Sequence, residues 1–195
     1  MAYTVDDKFI IKRADVETIV REVCVSYAHL RRSFLTAYSY LNKQLDDGDL
    51  ASAVCSLMET FALPSNFCTR VRYNAKGLSP AAVAAMEMDF TRNNHPLSGT
   101  LLFVESKTAV IQTPRYRLIH VIAHELAHAR MFLDKHPRRT SEFGTDVLAL
   151  MVTGDAKGLP EHMQTLTGFY GYIRPDLNQA VFRALRQHSE KIYLP

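Results

Sequence analysis

Residues 120–146 read HVIAHELAHARMFLDKHPRRTSEFGTD, and the interpretation of the whole chain depends on this stretch. It contains His124 and His128 in an HExxH motif, within a segment whose apolar run at 118–123 predicts a helix. Residues four apart on a helix share one face, so both imidazoles could reach one ion at about 2.1 Å, the usual zinc–imidazole distance. Glu125 stands beside them, where a carboxylate can take a proton from a water whose pKa a metal lowers to about 7.

A catalytic zinc also needs a third protein ligand and an open position for water. The run SEFGTDVLALM at 141–151 predicts a second helix, which after a short loop would return Glu142 to the histidines. Asp146, one turn further along that helix, could accept a hydrogen bond from the outer nitrogen of a ligand histidine and fix its tautomer. Asp134 and His136 are the alternative third ligands.

His120 extends the series of histidines to i, i+4 and i+8. Three ligands on one straight helix would span about 12 Å by helical rise, which is too far for a single ion. We therefore expect His120 to be packed or solvent-facing rather than to bind metal.

The motif HELAH at 124–128, followed by EFGTD at 142–146, resembles the zincin metallopeptidases, and within them the gluzincin branch. The region 98–154 is also similar to the small ImmA/IrrE-type peptidases of bacteria. The resemblance implies Zn²⁺ as the cofactor, with His124, His128 and Glu142 as its ligands. It further implies Glu125 as the general base and Asp146 as the residue that supports a ligand.

Two positions limit this resemblance. Arg130 stands where the extended zincin pattern has an apolar residue, which bears on the subfamily more than on the metal. Met131 stands where the metzincin branch needs the glycine that turns the chain, so we set that branch aside.

Outside the motif, the hydrophobic pattern predicts mostly helices. Apolar residues at threes and fours predict one long helix from about residue 15, with no Gly or Pro before Gly48. Asp49 is the expected N-cap of a helix over 50–61, and Ser79-Pro80 predicts a helix over 81–91. Strand-like runs at 100–105 and 108–112 predict a β-hairpin that precedes the HExxH helix.

The expected fold class is therefore α+β, mostly helical, with a small β-hairpin or sheet next to the HExxH helix as a minimal zincin-like core. We expect a helical N-terminal portion, residues 1–97, to pack on a metal-binding core with C-terminal helices, residues 98–195. The aromatic loop at 168–175 supplies Tyr170 and Tyr172 as catalytic candidates for stabilising an oxyanion, with Arg174 and His162 as alternatives. Core packing is the competing interpretation of the two tyrosines.

Composition bears on whether the protein binds nucleic acid, on its redox compartment and on membrane association. A chain of 195 residues with 47% hydrophobic and 22% charged residues is typical of a globular protein, and a net charge of +3 without a basic aromatic patch does not favour nucleic acid. Three scattered cysteines indicate a reducing compartment. With no leader and no apolar run of about 20 residues, we expect a cytoplasmic protein without a membrane partner.

These observations predict a zinc-dependent metallopeptidase, a hydrolase that acts on a protein or peptide. The alternative is a non-catalytic zinc-binding interaction or regulatory module with a zincin-like fold, in which a fourth protein ligand replaces water. The sequence specifies neither the substrate nor the oligomeric state.

Overall fold

A computed structural model describes residues 13–64, 68–73, 83–88, 99–104, 111–112 and 114–153, with 68–73, 83–88 and 99–104 as backbone. Five helices fall in these ranges: α1 (Arg13–Tyr27), α2 (Leu30–Asp46), α3 (Leu50–Thr60), α4 (Arg115–Leu133) and α5 (Glu142–Thr153). The HExxH motif lies in α4. None of the described helices combines the length and the apolar character needed to cross a bilayer.

One hydrophobic core joins these five helices. α5 contacts α1, α2 and α4, and α3 contacts α2 and α4. Side chains that are less than 2% exposed come from every helix, among them Val20, Leu30, Leu57, Ile122 and Leu148. Together, helices α1–α3 thus pack against α4, which carries the HExxH motif, and against α5. The division at residue 97 stays a prediction, because residues 89–98 lie outside the described ranges.

The long N-terminal helix that the sequence predicts is interrupted between α1 and α2. Ala28 and His29 form a turn, in which His29 keeps a helical backbone at φ −61° and ψ −27°. No Gly or Pro marks the position, so the sequence carries no local signal for it. The prediction for α3 is confirmed: Asp49 accepts a hydrogen bond from the Ser52 backbone N–H at 3.1 Å and caps the helix.

Three strands complete the described backbone: β1 (Cys68–Tyr73), β2 (Val83–Met88) and β3 (Gly99–Val104). They form a sheet in the order β1-β3-β2. β1 runs parallel to β3, with Cys68 opposite Gly99, and β2 runs antiparallel to it, with Met88 opposite Thr100. β1 contacts α3, and β2 contacts α4.

The predicted fold class is wrong. Where side chains are described, the chain is 80% helical and contains no strand, and the expected hairpin is not found in the described ranges. Residues 111 and 112, which the sequence places in the second hairpin strand, are helical. The antiparallel partner of β3 is instead β2, within the segment predicted as a helix over 81–91. Pairing with β3 overrides the helix propensity of its Ala and Met residues. The described side chains that pack on the HExxH helix belong to helices, and β2, the strand that contacts this helix, is not part of the predicted hairpin.

Two arginines link α4 and α5 to the N-terminal helices. Arg31 of α2 is 4% exposed, and its Nη1 donates to the Val152 carbonyl at the end of α5 at 2.7 Å. Arg130 of α4 donates through Nη1 to the Ala62 carbonyl, just beyond α3, at 2.8 Å. A cation near the last carbonyls of a helix satisfies them and complements the helix dipole. Arg130, which departs from the zincin pattern, therefore links α4 to α3.

Candidate metal centre

The site is built where α4 and α5 pack together across the connection of residues 134–141. Ser141 begins α5: its Oγ accepts a hydrogen bond from the Gly144 N–H at 3.1 Å, and its carbonyl accepts one from the Thr145 N–H at 2.9 Å. This capping fixes the first turn of α5. It therefore fixes the positions of Thr145 and Asp146, which face the histidines of α4.

His124 is held by a carboxylate. Its Nδ1 lies 2.6 Å from Oδ1 of Asp146, and Asp146 is only 2% exposed. Burial by itself raises the pKa of the Asp146 carboxyl, but the charge of His124 and hydrogen bonds from His120 and His124 outweigh burial and lower that pKa. An ionised carboxylate only accepts, so the Nδ1 of His124 carries the proton that joins the pair.

His128 is held by neutral groups. Its Nδ1 lies 3.1 Å from Oγ1 of Thr145 and 3.3 Å from the Arg139 carbonyl oxygen. The Thr145 hydroxyl donates to the Ser141 carbonyl at 2.9 Å, so towards His128 it acts as an acceptor. Both neighbours of this Nδ1 are acceptors, which assigns the proton to Nδ1 here as well.

The two motif histidines therefore share one tautomer. With Nδ1 protonated, the neutral imidazole has its lone pair on Nε2, the form that ligates zinc. The rings of His124 and His128 have their centroids 4.9 Å apart and cross at 81°. Glu125, half-buried, lies in the same helical turn. These donors fit a zinc ion bound through two Nε2 atoms.

The three candidates for a third ligand lie at the end of α4, in the 134–141 connection and at the start of α5. Glu142 is the first residue of α5, and its side chain lies outside the described part of the chain. Of the alternatives, Asp134 forms an ion pair with Arg130 at 2.7 Å. His136 accepts a hydrogen bond at Nδ1 from the Arg138 N–H at 3.1 Å, and its ring lies 5.4 Å from that of Tyr27.

Within the side chains that the structure describes, no group of three His, Cys, Asp or Glu residues is arranged to hold a metal. The side chain of Glu142, the predicted third ligand, is outside this set. The catalytic candidates Tyr170 and Tyr172, with Arg174 and His162, also fall outside the described residues.

Three groups at the site do not follow from the sequence analysis: His120, Thr145 and the Arg139 carbonyl. His120 is 3% exposed, with its Nε2 3.3 Å from Oδ1 of Asp146. It is packed, one of the two expected outcomes, but its partner lies on another helix and could not be inferred. Thr145 is fully buried, and its position beside Asp146 was the one available signal.

No protein-family model, curated protein or solved structure matches this chain. Function is therefore inferred from the geometry of α4 and α5 and from the chemistry of their side chains.

Proposed function

We propose that the chain is a zinc-dependent metallopeptidase that hydrolyses a peptide bond in a protein or peptide. The observation that supports this most is the set of hydrogen-bond acceptors around Nδ1 of His124 and of His128, from which both rings are assigned the same tautomer. Each Nδ1 faces hydrogen-bond acceptors, at 2.6 Å for His124 and at 3.1 and 3.3 Å for His128. This arrangement supports metal binding through both Nε2 atoms, because histidine ligands almost always donate their other ring N–H to an acceptor.

In this proposal His124 and His128 bind Zn²⁺ through Nε2, with Glu142 as the third ligand, as in the gluzincin peptidases that the motif resembles. When bound, zinc supplies a Lewis acid that polarises the scissile carbonyl and lowers the pKa of water. Glu125 takes the proton from the attacking water and delivers it to the leaving amine. Tyr170 and Tyr172 are the proposed donors to the oxyanion.

The first experiment measures zinc content by elemental analysis of the purified full chain. We expect about one zinc per wild-type chain, and loss of zinc in His128→Ala and Glu142→Ala, because a catalytic site needs all three protein ligands. His29→Ala is the matched control, since His29 is exposed and lies outside the site. A wild-type chain that takes up no zinc contradicts the proposal. A Glu142→Ala chain with full zinc content assigns the third ligand elsewhere.

The second experiment separates catalysis from binding. Glu125→Gln should keep the zinc of the wild type and lose about 10²–10⁴-fold in peptide hydrolysis, the usual contribution of a general base. Glu59→Gln, at an exposed position of α3, is the control and should retain activity.

X-ray absorption of the zinc-loaded chain gives the number and type of zinc ligands. Three protein ligands and a water fit a peptidase, whereas four protein ligands support a non-catalytic interaction module.

A further inference from the structure

The Asp146 carboxylate has a second histidine neighbour besides His124. Its Oδ1 lies 2.6 Å from Nδ1 of His124 and 3.3 Å from Nε2 of His120. The two rings belong to successive turns of α4, with centroids 6.5 Å apart and planes 57° apart. One oxygen atom of α5 therefore lies between two imidazoles of α4.

This contact is buried on both sides. Asp146 is 2% exposed and His120 is 3% exposed, while the chain neighbours Thr145 and Val147 on α5 are fully buried. A carboxylate at such a position is oriented by protein donors rather than by bulk water. The direction from which those donors approach then decides which way its oxygens point.

We propose that His120 is a positioning residue of the metal centre. Its Nε2–H donates to Oδ1 of Asp146 and holds the carboxylate in the orientation that meets Nδ1 of His124. The inference deepens the proposed function and rests on it: the hydrogen-bonded chain from His120 through Asp146 to His124 directs Nε2 of His124 towards the zinc. His120 touches neither metal nor substrate in this scheme.

A comparison with His128, at the other end of the motif, shows why the Asp146 carboxylate needs a second donor. His128 has two acceptors for its Nδ1, Thr145 Oγ1 and the Arg139 carbonyl oxygen, and each is fixed by the backbone or by a further hydrogen bond. Oδ1 of Asp146, the acceptor 2.6 Å from Nδ1 of His124, belongs to a carboxylate that can rotate about its own bond. A second donor on the same oxygen restricts that rotation.

The test compares the zinc affinities of two His120 variants, one that keeps a hydrogen-bond donor near the position of Nε2 and one that lacks it. Glutamine places a side-chain N–H close to where histidine has Nε2, whereas leucine fills similar space and donates nothing. We expect His120→Leu to weaken zinc binding about tenfold, as losses of outer hydrogen-bond partners do, and His120→Gln to remain within about threefold of wild type. Affinity is read from competition with a fluorescent chelator. His29→Gln is the surface control.

The outcomes separate the inference from the function on which it rests. If the wild type binds no zinc, both are overturned. If the wild type binds zinc and His120→Leu binds equally tightly, the inference alone is overturned. If His120→Leu and His120→Gln are weakened equally, His120 acts through packing and the inference is again overturned.

A measurement on the wild type keeps the inference testable if a variant does not fold. Nitrogen-15 NMR of labelled histidine distinguishes the two tautomers of a neutral ring. We expect His120 to carry its proton on Nε2, and His124 to carry its proton on Nδ1. A His120 ring protonated on Nδ1 alone cannot donate to Asp146 and overturns the inference.

Discussion

The two histidines of the motif lie one helical turn apart but are held by different chemistry. His124 is bonded to a buried carboxylate that belongs to α5, whereas His128 is bonded to a hydroxyl of α5 and to the Arg139 carbonyl in the 134–141 connection. Charge-assisted hydrogen bonds are shorter and stronger than neutral ones, and the distances of 2.6 Å against 3.1 and 3.3 Å agree. The two histidines are thus oriented differently, His124 by a charged partner and His128 by neutral groups of α5 and of the 134–141 connection.

The largest expected effect is at the charged end. Asp146→Asn removes the negative charge while keeping the size of the side chain, and it should weaken zinc binding about 10–100-fold. The measurement is chelator competition on the full chain. Asp47→Asn, at an exposed position after α2, is the control and should not change the affinity. An Asp146→Asn chain with wild-type affinity would mean that charge is not what distinguishes the two ends.

A smaller effect is expected at the neutral end. Thr145→Val deletes one acceptor of His128 but leaves the Arg139 carbonyl, so the loss should be that of one neutral hydrogen bond, about 2–10-fold in affinity. Thr153→Val is a matched control, because Thr153 is also buried in α5 and its hydroxyl donates to the Ala149 carbonyl at 2.8 Å. Equal zinc affinities in the two variants would show that the Thr145 hydroxyl does not contribute to zinc binding.

The smallest expected effect is on the pH dependence of the free energy of unfolding. It arises from His136, which lies with Arg139 in the 134–141 connection. Burial is the main cause that lowers the pKa of His136, and the charge of Arg138 lowers it further, against the opposing charges of Glu22 and Asp134. Because the folded-state pKa lies below the unfolded value, the unfolded chain binds more protons as the pH falls. The contribution of His136 to stability is thus fully present above its unfolded pKa of about 6.5 and is lost below it.

Urea unfolding of the zinc-free chain at pH 7 and pH 6 measures this effect. We expect His136 to contribute a decrease of less than about 1 kcal/mol in the free energy of unfolding between these values. His136→Asn, which keeps an acceptor for the Arg138 N–H, should remove that part of the decrease. A variant with the same pH dependence as the wild type would show that His136 does not titrate differently on folding.

The sequence predicts those parts of the site that depend on helical spacing. His124 and His128 share a face because they are four residues apart, and Asp146 is brought to His124 because the predicted segment 141–151 lies largely in the next helix, α5. His120 and Thr145 could not be placed in the same way, since their roles depend on how α4 and α5 pack. The fold prediction failed where pairing between distant segments decides the outcome: β2 is a strand because β3 lies beside it.

The short connection between α4 and α5 also has a consequence for folding kinetics. His124 and Asp146 are 22 positions apart in the chain, whereas the bond from Arg31 to Val152 spans 121 positions. Closing a loop of about ten residues takes roughly 10–100 ns, and contacts between distant segments form more slowly. We therefore expect the geometry around His124 to form early in the folding of the chain, and the attachment to α2 to form later. The hydrogen bond that orients His124 is then expected to form before the core is complete.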